Sequence, residues 1–382
     1  MEGVLDTDAL SEAYHEQGWV YVPELFSALD IAGMRSRVER LVDGAVSQLE
    51  KDGLLSNGTH SDQPFGRRLM ALIKDAGVDA VMPRLHGAGS AFGVAKALGS
   101  AADEMERPIF DMVAHNRLLD VLETLMGPKL TYSYAGIMRV RLPDCTEDSR
   151  SAKPFPFHQD TQYFDTAMIP GGKPSTVLGG IGSTRPVVTR GQAVSSENLH
   201  IITVWVPLVD TDETNGALTL ISGSHRWGML DGQRDEDGNM RAFNLDDRER
   251  VNQSPKVVQN CPAGGAILFN NLCFHGSGPN LSDSVRWSFD WRYDAHTAQQ
   301  PALKHQQPQQ QQQQQEGARA RAAALEWWRG QFSKPGRLDY GPFLVRDRAA
   351  SMDRPSWKAW VERRCELLRD AGVEEGTAAA KL

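Results

Sequence analysis

The stretch FPFHQDTQYF, residues 155–164, sets an imidazole and a carboxylate two positions apart among aromatic side chains. On extended backbone, residues i and i+2 face the same side. His158 and Asp160 therefore aim at one point, and Gln159 faces away. A nitrogen and an oxygen donor held together suit a metal ion, which needs a third ligand. The best candidate is His275 in FNNLCFHGSGPN, at the end of another expected strand. Two histidines and one carboxylate on one face of an octahedral ion leave open positions opposite. That arrangement suits non-haem Fe(II), which must accept a cosubstrate and O2 together. Arg286 lies on the next expected strand, SVRWSFDWRY, where a guanidinium can pair bidentately with a carboxylate held beside the metal. An isolated H-x-D is common by chance. The competing reading makes His158 a hydrogen-bonded core histidine and Asp160 a turn residue.

The elements that must position these groups are legible in outline. GWVYVPELF predicts a strand, with short and long helices on either side over residues 6–50. Ser27 is the expected N-cap of the long helix, along which Ile31, Met34, Val38, Leu41, Val42, Ala45 and Leu49 recur at helical spacing. Residues 51–106 read as loops and short helices, and Ile109–Gly127 as one amphipathic helix closed by Gly127 and Pro128. From Leu130 the pattern changes to short strands: LTYSYAGIMRVRL, HIITVWVPLV, GALTLIS, KVVQN, GAILFNNLCFHGS and VRWSFDWRY. Regular strands with turn residues between them predict a β-sandwich or barrel. A Gly/Pro/Ser-rich insertion over 165–198 has the length of a functional loop and is read as a lid over the substrate pocket. Gln309–Gln315 reads as a linker without an apolar face. Beyond it, GARARAAALEWWRGQF and SWKAWVERRCELLRDAG predict two helices whose tryptophans Trp327, Trp328, Trp357 and Trp360 pack back on the domain.

The chain has 382 residues, is 40% hydrophobic and 24% charged, and carries a net charge of −8, which argues for a globular protein with a real core and against a nucleic-acid partner. Four cysteines without a C-x-x-C pair fit a reducing compartment better than a disulfide scaffold. No stretch has the length and apolarity of a membrane span or signal peptide, so the expectation is a soluble intracellular protein. Ala380-Lys381-Leu382 resembles a peroxisomal address, relevant in a eukaryotic host. Nothing in the sequence bears on oligomeric state.

Taken together, GWVYVPELF, LMGPKL, PFHQDTQYF, VWVPLVDTDETNGALTLISGSHRWG and CPAGGAILFNNLCFHGSGPNLSDSVRWSFDWRY resemble the phytanoyl-CoA dioxygenase family of Fe(II)/2-oxoglutarate-dependent oxygenases, over about residues 10–295. The resemblance implies a mainly β fold with flanking helices, a double-stranded β-helix of the jelly-roll, cupin-like kind. In domain terms, a dioxygenase domain would span 1–298, with a helical part over 1–128 and a jelly-roll core over 129–298. A Gln-rich linker over 299–317 and a helical extension over 318–382 would follow. It implies His158, Asp160 and His275 as Fe(II) ligands, and 2-oxoglutarate and O2 as cosubstrates. Arg286 would hold the distal carboxylate of 2-oxoglutarate with Ser277 nearby, and Trp205 and Gln159 match positions lining that pocket. Arg141, which stands where relatives often carry lysine, would be a further residue binding the cosubstrate. The reaction implied is oxidation, chiefly hydroxylation, of a C–H bond in a small organic molecule, with 2-oxoglutarate going to succinate and CO2. A carboxylate at 160 speaks against halogenation, since related halogenases keep that position small. The insertion, the glutamine run and the extension depart from the family pattern, so no substrate carries over. The rival readings are a catalytically silent jelly-roll binding protein and a zinc hydrolase on the same three ligands.

Overall fold

A computed structural model of the chain describes residues 6–87, 100–146, 152–163, 187–188, 201–235, 240–242, 244–295 and 343–370. The glutamine run, nearly all of the 165–198 insertion, the helix expected over 317–332 and Ala380–Leu382 lie outside them.

Among the described residues the helices are α1 (Thr7–Gln17), α2 (Ala28–Lys51), α3 (Phe65–Ala76), α4 (Val78–Gly87), α5 (Ser100–Val113), α6 (Asn116–Met126), α7 (Leu245–Gln253) and α8 (Trp357–Asp370). The strands are β1 (Trp19–Val22), β2 (Lys129–Arg141), β3 (Phe155–His158), β4 (Val187–Val188), β5 (Ile201–Pro207), β6 (Leu218–Leu220), β7 (Gly232–Arg234), β8 (Met240–Ala242), β9 (Val257–Val258), β10 (Ala266–Asn270), β11 (His275–Ser277), β12 (Arg286–Ala295) and β13 (Phe343–Asp347). A six-stranded sheet runs β1-β10-β5-β12-β2-β13, a four-stranded sheet β3-β11-β6-β9, and a small third sheet β4-β7-β8. The strand pairs are antiparallel. The two larger sheets face each other across a shared interior, where Trp19, Trp205, Ile267 and Phe269 of one pack against Leu218 and Leu220 of the other. This is the double-stranded β-helix.

The large sheet separates two environments by simple alternation. Val20, Val22, Ile202, Val204, Val206, Ala266 and Leu268 point to the helices and join the main core. Their neighbours Trp19, Trp205, Ile267 and Phe269 point into the roll. Strand β12 is the sharpest case. Trp287, Phe289, Trp291 and Tyr293 are buried in the helical core, whereas Arg286, Ser288, Asp290 and Arg292 form the opposite, polar face.

The helical layer begins as its sequence dictates. Ser27 and Asp30 form a reciprocal capping box at the start of α2, and the expected apolar stripe of that helix is buried. The short helices expected over residues 51–106 are α3, α4 and the start of α5, with Pro83 and Pro108 inside the last two. Two readings need correction. Ile109–Gly127 is two helices, because His115 takes extended angles (φ −69°, ψ 125°) and becomes the N-cap residue of α6. The apolar stripe continues across that break, so periodicity does not register it. Strand β13 had no counterpart in the sequence reading. It extends the large sheet beside β2, and its Arg346 is 1% exposed between Asp120 at 2.7 Å and Glu123 at 2.8 Å. Helix α8 then places Trp360, fully buried, against Phe110, Tyr132 and Phe343. None of the described helices is long and apolar enough to cross a membrane.

Candidate metal centre

Strands β3 and β11 pair so that His158 and His275 sit directly opposite one another. Their ring centroids are 4.2 Å apart. The strands approach closely at Gly276, where a Cβ would meet the Phe155 carbonyl at 2.8 Å; a side chain there would push the two histidine strands apart. Strand β3 ends at His158, and Asp160 opens a 3-10 turn, Asp160–Tyr163. The carboxylate thus reaches the imidazoles through that turn and not, as strand alternation implies, along a continuing strand. Its Oδ1 lies 3.7 Å from His158 Nε2 and 3.6 Å from His275 Nε2.

The donors are oriented from behind. His158 Nδ1 donates to the Pro156 carbonyl at 2.9 Å and His275 Nδ1 to the Cys273 carbonyl at 3.0 Å. Both Nε2 lone pairs are left facing inward. Burial, reinforced by His158, pushes His275 down to about 3, so it is neutral near pH 7. Asp160 Oδ2 accepts Arg292 Nη2 at 2.9 Å, Arg292 Nε at 3.1 Å and the Thr203 hydroxyl at 2.6 Å. Burial pushes the Asp160 carboxyl up, but Arg292 and the histidines outweigh it and hold the group well below the usual carboxylate range. One oxygen is committed to the protein, and the other faces the imidazoles. Two imidazoles with their Nε2 atoms turned inward and an ionised carboxylate, with all three ligand atoms within 4.8 Å of one another, fit a divalent cation. Among the described residues this is the metal-capable cluster.

These groups open on a cavity of about 660 Å³ between the two sheets. Arg286, Trp205, Ser277 and Arg141 line it, as do His158 and His275. Arg286 is 5% exposed. Its Nη1 donates to Ser288 Oγ at 2.5 Å, its guanidinium lies 5.7 Å from the Trp205 ring centre, and its Nε has no hydrogen-bond partner among the described residues. Burial, then the neighbouring Arg141 and Arg139, push it down to about 9, still protonated at neutrality. Gln159 is elsewhere: it is not part of the cavity wall. Its amide donates to the carbonyls of Gly228 (2.8 Å) and Leu272 (2.7 Å) and accepts from Leu230 N–H (2.8 Å). Its side-chain polar atoms fasten two loops behind the site.

Sequence reasoning missed Thr203, Asp290 and Arg292. Arg292 also donates to Asp290, and Asp290 accepts Arg139 Nε at 2.6 Å. A buried ladder thus runs Asp160–Arg292–Asp290–Arg139 from the donor cluster to the partly exposed Arg139. The signal was present in RWSFDWRY, whose polar residues occupy every second position.

The chain is similar to a Caenorhabditis elegans probable phytanoyl-CoA dioxygenase, 22% identical over 203 residues, which is 52% of this chain and 54% of that protein; the match thus spans about half of the relative's length. Among solved structures it is similar to the epimerase SnoN in complex with Fe3+, alpha ketoglutarate and nogalamycin RO (17% identity, 79% of this chain and 92% of that one, TM-score 0.44). It is also similar to EctD from S. alaskensis with 2-oxoglutarate and 5-hydroxyectoine (16% identity, 77% of each chain, TM-score 0.44). The model of the family described as phytanoyl-CoA dioxygenase (PhyH) matches residues 14–288, a span that contains all three donors and Arg286. The chain therefore belongs to the phytanoyl-CoA dioxygenase family, a family of Fe(II)/2-oxoglutarate-dependent oxygenases.

Proposed function

We propose that this protein is a non-haem Fe(II)/2-oxoglutarate-dependent dioxygenase that oxidises, chiefly by hydroxylation, a C–H bond of a small organic molecule. The observation that carries the reading is the convergence of two imidazoles and one carboxylate beside a buried arginine that has no ion-pair partner among the described residues. His158, Asp160 and His275 hold the iron. Arg286, assisted by the Ser288 hydroxyl, takes the distal carboxylate of 2-oxoglutarate, with Ser277 and Trp205 shaping that end of the cavity. Bound iron supplies the coupling of 2-oxoglutarate decarboxylation, which yields succinate and CO2, to oxidation of the substrate by O2. The chain's contribution is orientation and exclusion of water. Arg292 and Thr203 fix the Asp160 carboxylate, backbone carbonyls fix both imidazole tautomers, and Phe155 and Phe269 wall the site with apolar surface.

The test is an anaerobic titration of the purified protein with Fe(II) and 2-oxoglutarate. A weak visible charge-transfer band that needs both additions is expected, followed by O2-dependent succinate formation. A protein that binds neither, or forms no band, is a silent jelly-roll binding protein and sinks the proposal.

A further inference from the structure

The cationic groups around the cavity exceed what one cosubstrate requires. Of the four arginines on the inward face of β2 and β12, two are neutralised within the protein. Arg292 pairs with Asp160 and Asp290, and Arg139 with Asp290. Arg141 and Arg286 are different. They are directly opposite each other on adjacent antiparallel strands, so both face the same side. Each is 5% exposed and each has a buried Nε with no hydrogen-bond partner among the described residues. Among the described residues no carboxylate lies within ion-pair distance of either; Asp144 acts on Arg141 only through its field. Like charges placed opposite one another and away from water are costly unless something of opposite sign joins them.

The two guanidiniums are also turned to different acceptors. Arg286 reaches along its own strand to Ser288, towards Asp290, Arg292 and the metal centre. Arg141 reaches to the Gly278 carbonyl, at 2.8 Å, in the loop that follows β11. A single carboxylate engaged bidentately by Arg286 leaves Arg141 without a counter-charge. The wall around it mixes apolar surface (Ile137, Phe155, Leu218) with the basic side chains Lys153 and Arg241, the latter paired to Asp235 at 2.7 Å. At about 660 Å³ the cavity has room for a second small molecule beside the cosubstrate.

We propose, resting on the dioxygenase reading above, that Arg141 is the anchor for an acid group of the substrate itself, so that the substrate is a small organic anion with a carboxylate or phosphate head. Two acid groups then occupy the cavity together, the distal carboxylate of 2-oxoglutarate on Arg286 and the substrate's head group on Arg141. The apolar wall takes the substrate's carbon skeleton.

The experiment uses the full chain loaded with Mn(II) and saturated with N-oxalylglycine, an unreactive 2-oxoglutarate analogue. Hexanoate and hexyl phosphate are the anionic probes, and hexanamide and hexanol their neutral counterparts, with binding read by ligand-observed NMR. At least one anion should bind about ten-fold or more tightly than its neutral counterpart, and comparing the two anions identifies the head group. Arg141→Gln should weaken that anion by about ten-fold or more while leaving N-oxalylglycine affinity within about three-fold. Arg286→Gln should do the reverse, and Arg141→Lys, which keeps the charge, should retain part of the anion binding and guards against misfolding of the glutamine variant. Absence of any preference for the anions, or an Arg141→Gln variant that loses the cosubstrate analogue as Arg286→Gln does, overturns the proposal. Failure of the parent to bind Mn(II) and N-oxalylglycine at all is a different result and brings down the dioxygenase reading first.

Discussion

Replacing Arg286 with methionine should make the empty protein more stable and the enzyme nearly useless. Arg286 is a buried cation facing a second one, Arg141, and its ionisation is pushed from the ordinary guanidinium range down to about 9, first by burial. At about 1.4 kcal/mol per unit, the charge is disfavoured by at most about 5 kcal/mol. Methionine fills a similar volume without charge, and such replacements of buried ionic groups are commonly neutral or stabilising by about 1–4 kcal/mol. Against this stand the loss of the Ser288 hydrogen bond and of the contact with Trp205, together about 1–2 kcal/mol. The balance is a gain of up to about 3 kcal/mol in urea unfolding of metal-free, cosubstrate-free protein at pH 7.5. The same variant should lose about 2–5 kcal/mol of 2-oxoglutarate affinity, roughly 30- to 5,000-fold, measured calorimetrically on the Mn(II)-loaded protein. A variant less stable than the parent would mean that Arg286 is neutralised by the fold and is a structural ion. Unchanged cosubstrate affinity would move the anchor to another residue.

Four further outcomes are expected. His158→Ala, Asp160→Ala and His275→Ala should each bring metal content, measured on the purified protein, close to zero. Of the three, Asp160→Ala should also cost about 3–5 kcal/mol in the metal-free state, because it breaks a buried ion pair and leaves two arginines, Arg292 and Arg139, to share Asp290; equal melts for all three would contradict the ladder. Gln159→Ala leaves two carbonyls and one N–H without partners and should destabilise by about 2–4 kcal/mol with N-oxalylglycine affinity unchanged; weakened analogue binding in a well-folded variant would restore Gln159 as a cosubstrate contact. His275, His115 and His225 are all pushed below the ordinary value of 6.5, each chiefly by burial. The folded state therefore binds fewer protons than the unfolded chain between about pH 3 and 6.5, so the stability of metal-free protein should be greatest above about 6.5 and fall as pH drops through that window. Urea melts at pH 7.5, 6 and 5 check the sign, and a flat profile contradicts it. Trp360→Ala should cost about 3–5 kcal/mol through the cavity it leaves between Phe110, Tyr132 and Phe343; a loss below about 1 kcal/mol would mean that α8 is only loosely attached.

The donor residues were readable because their chemistry leaves few alternatives: an imidazole and a carboxylate two apart in an aromatic stretch, with another histidine and an arginine in order downstream. The reason offered for Asp160 was incomplete, since alternation along a strand does not foresee that the strand stops and a 3-10 turn takes over. What stayed hidden depends on pairing across the sheet. Arg139, Asp290 and Arg292 are ordinary charged residues until β2 and β12 are laid side by side. Gln159 faced away as alternation required, but what it met there is distant in sequence. Strand β13 was missed for the same reason, because it gains its partner only from β2. Helix signals succeeded where the pattern was local, as in the Ser27 cap, and failed where a single extended residue, His115, interrupted an otherwise continuous stripe.

The division of β12 into an aromatic face and an ionic face has a consequence for how the protein can fail. A slip of one residue against β2 or β5 would drive two arginines and an aspartate into the helical core and thrust tryptophans into the cavity. Neither environment tolerates the exchange, so the strand has a single viable alignment. Insertions or deletions of one residue within Arg286–Tyr293 should therefore abolish folding outright and leave no partly active enzyme. Proofreading of the fold and assembly of the reactive centre are the same event in this chain.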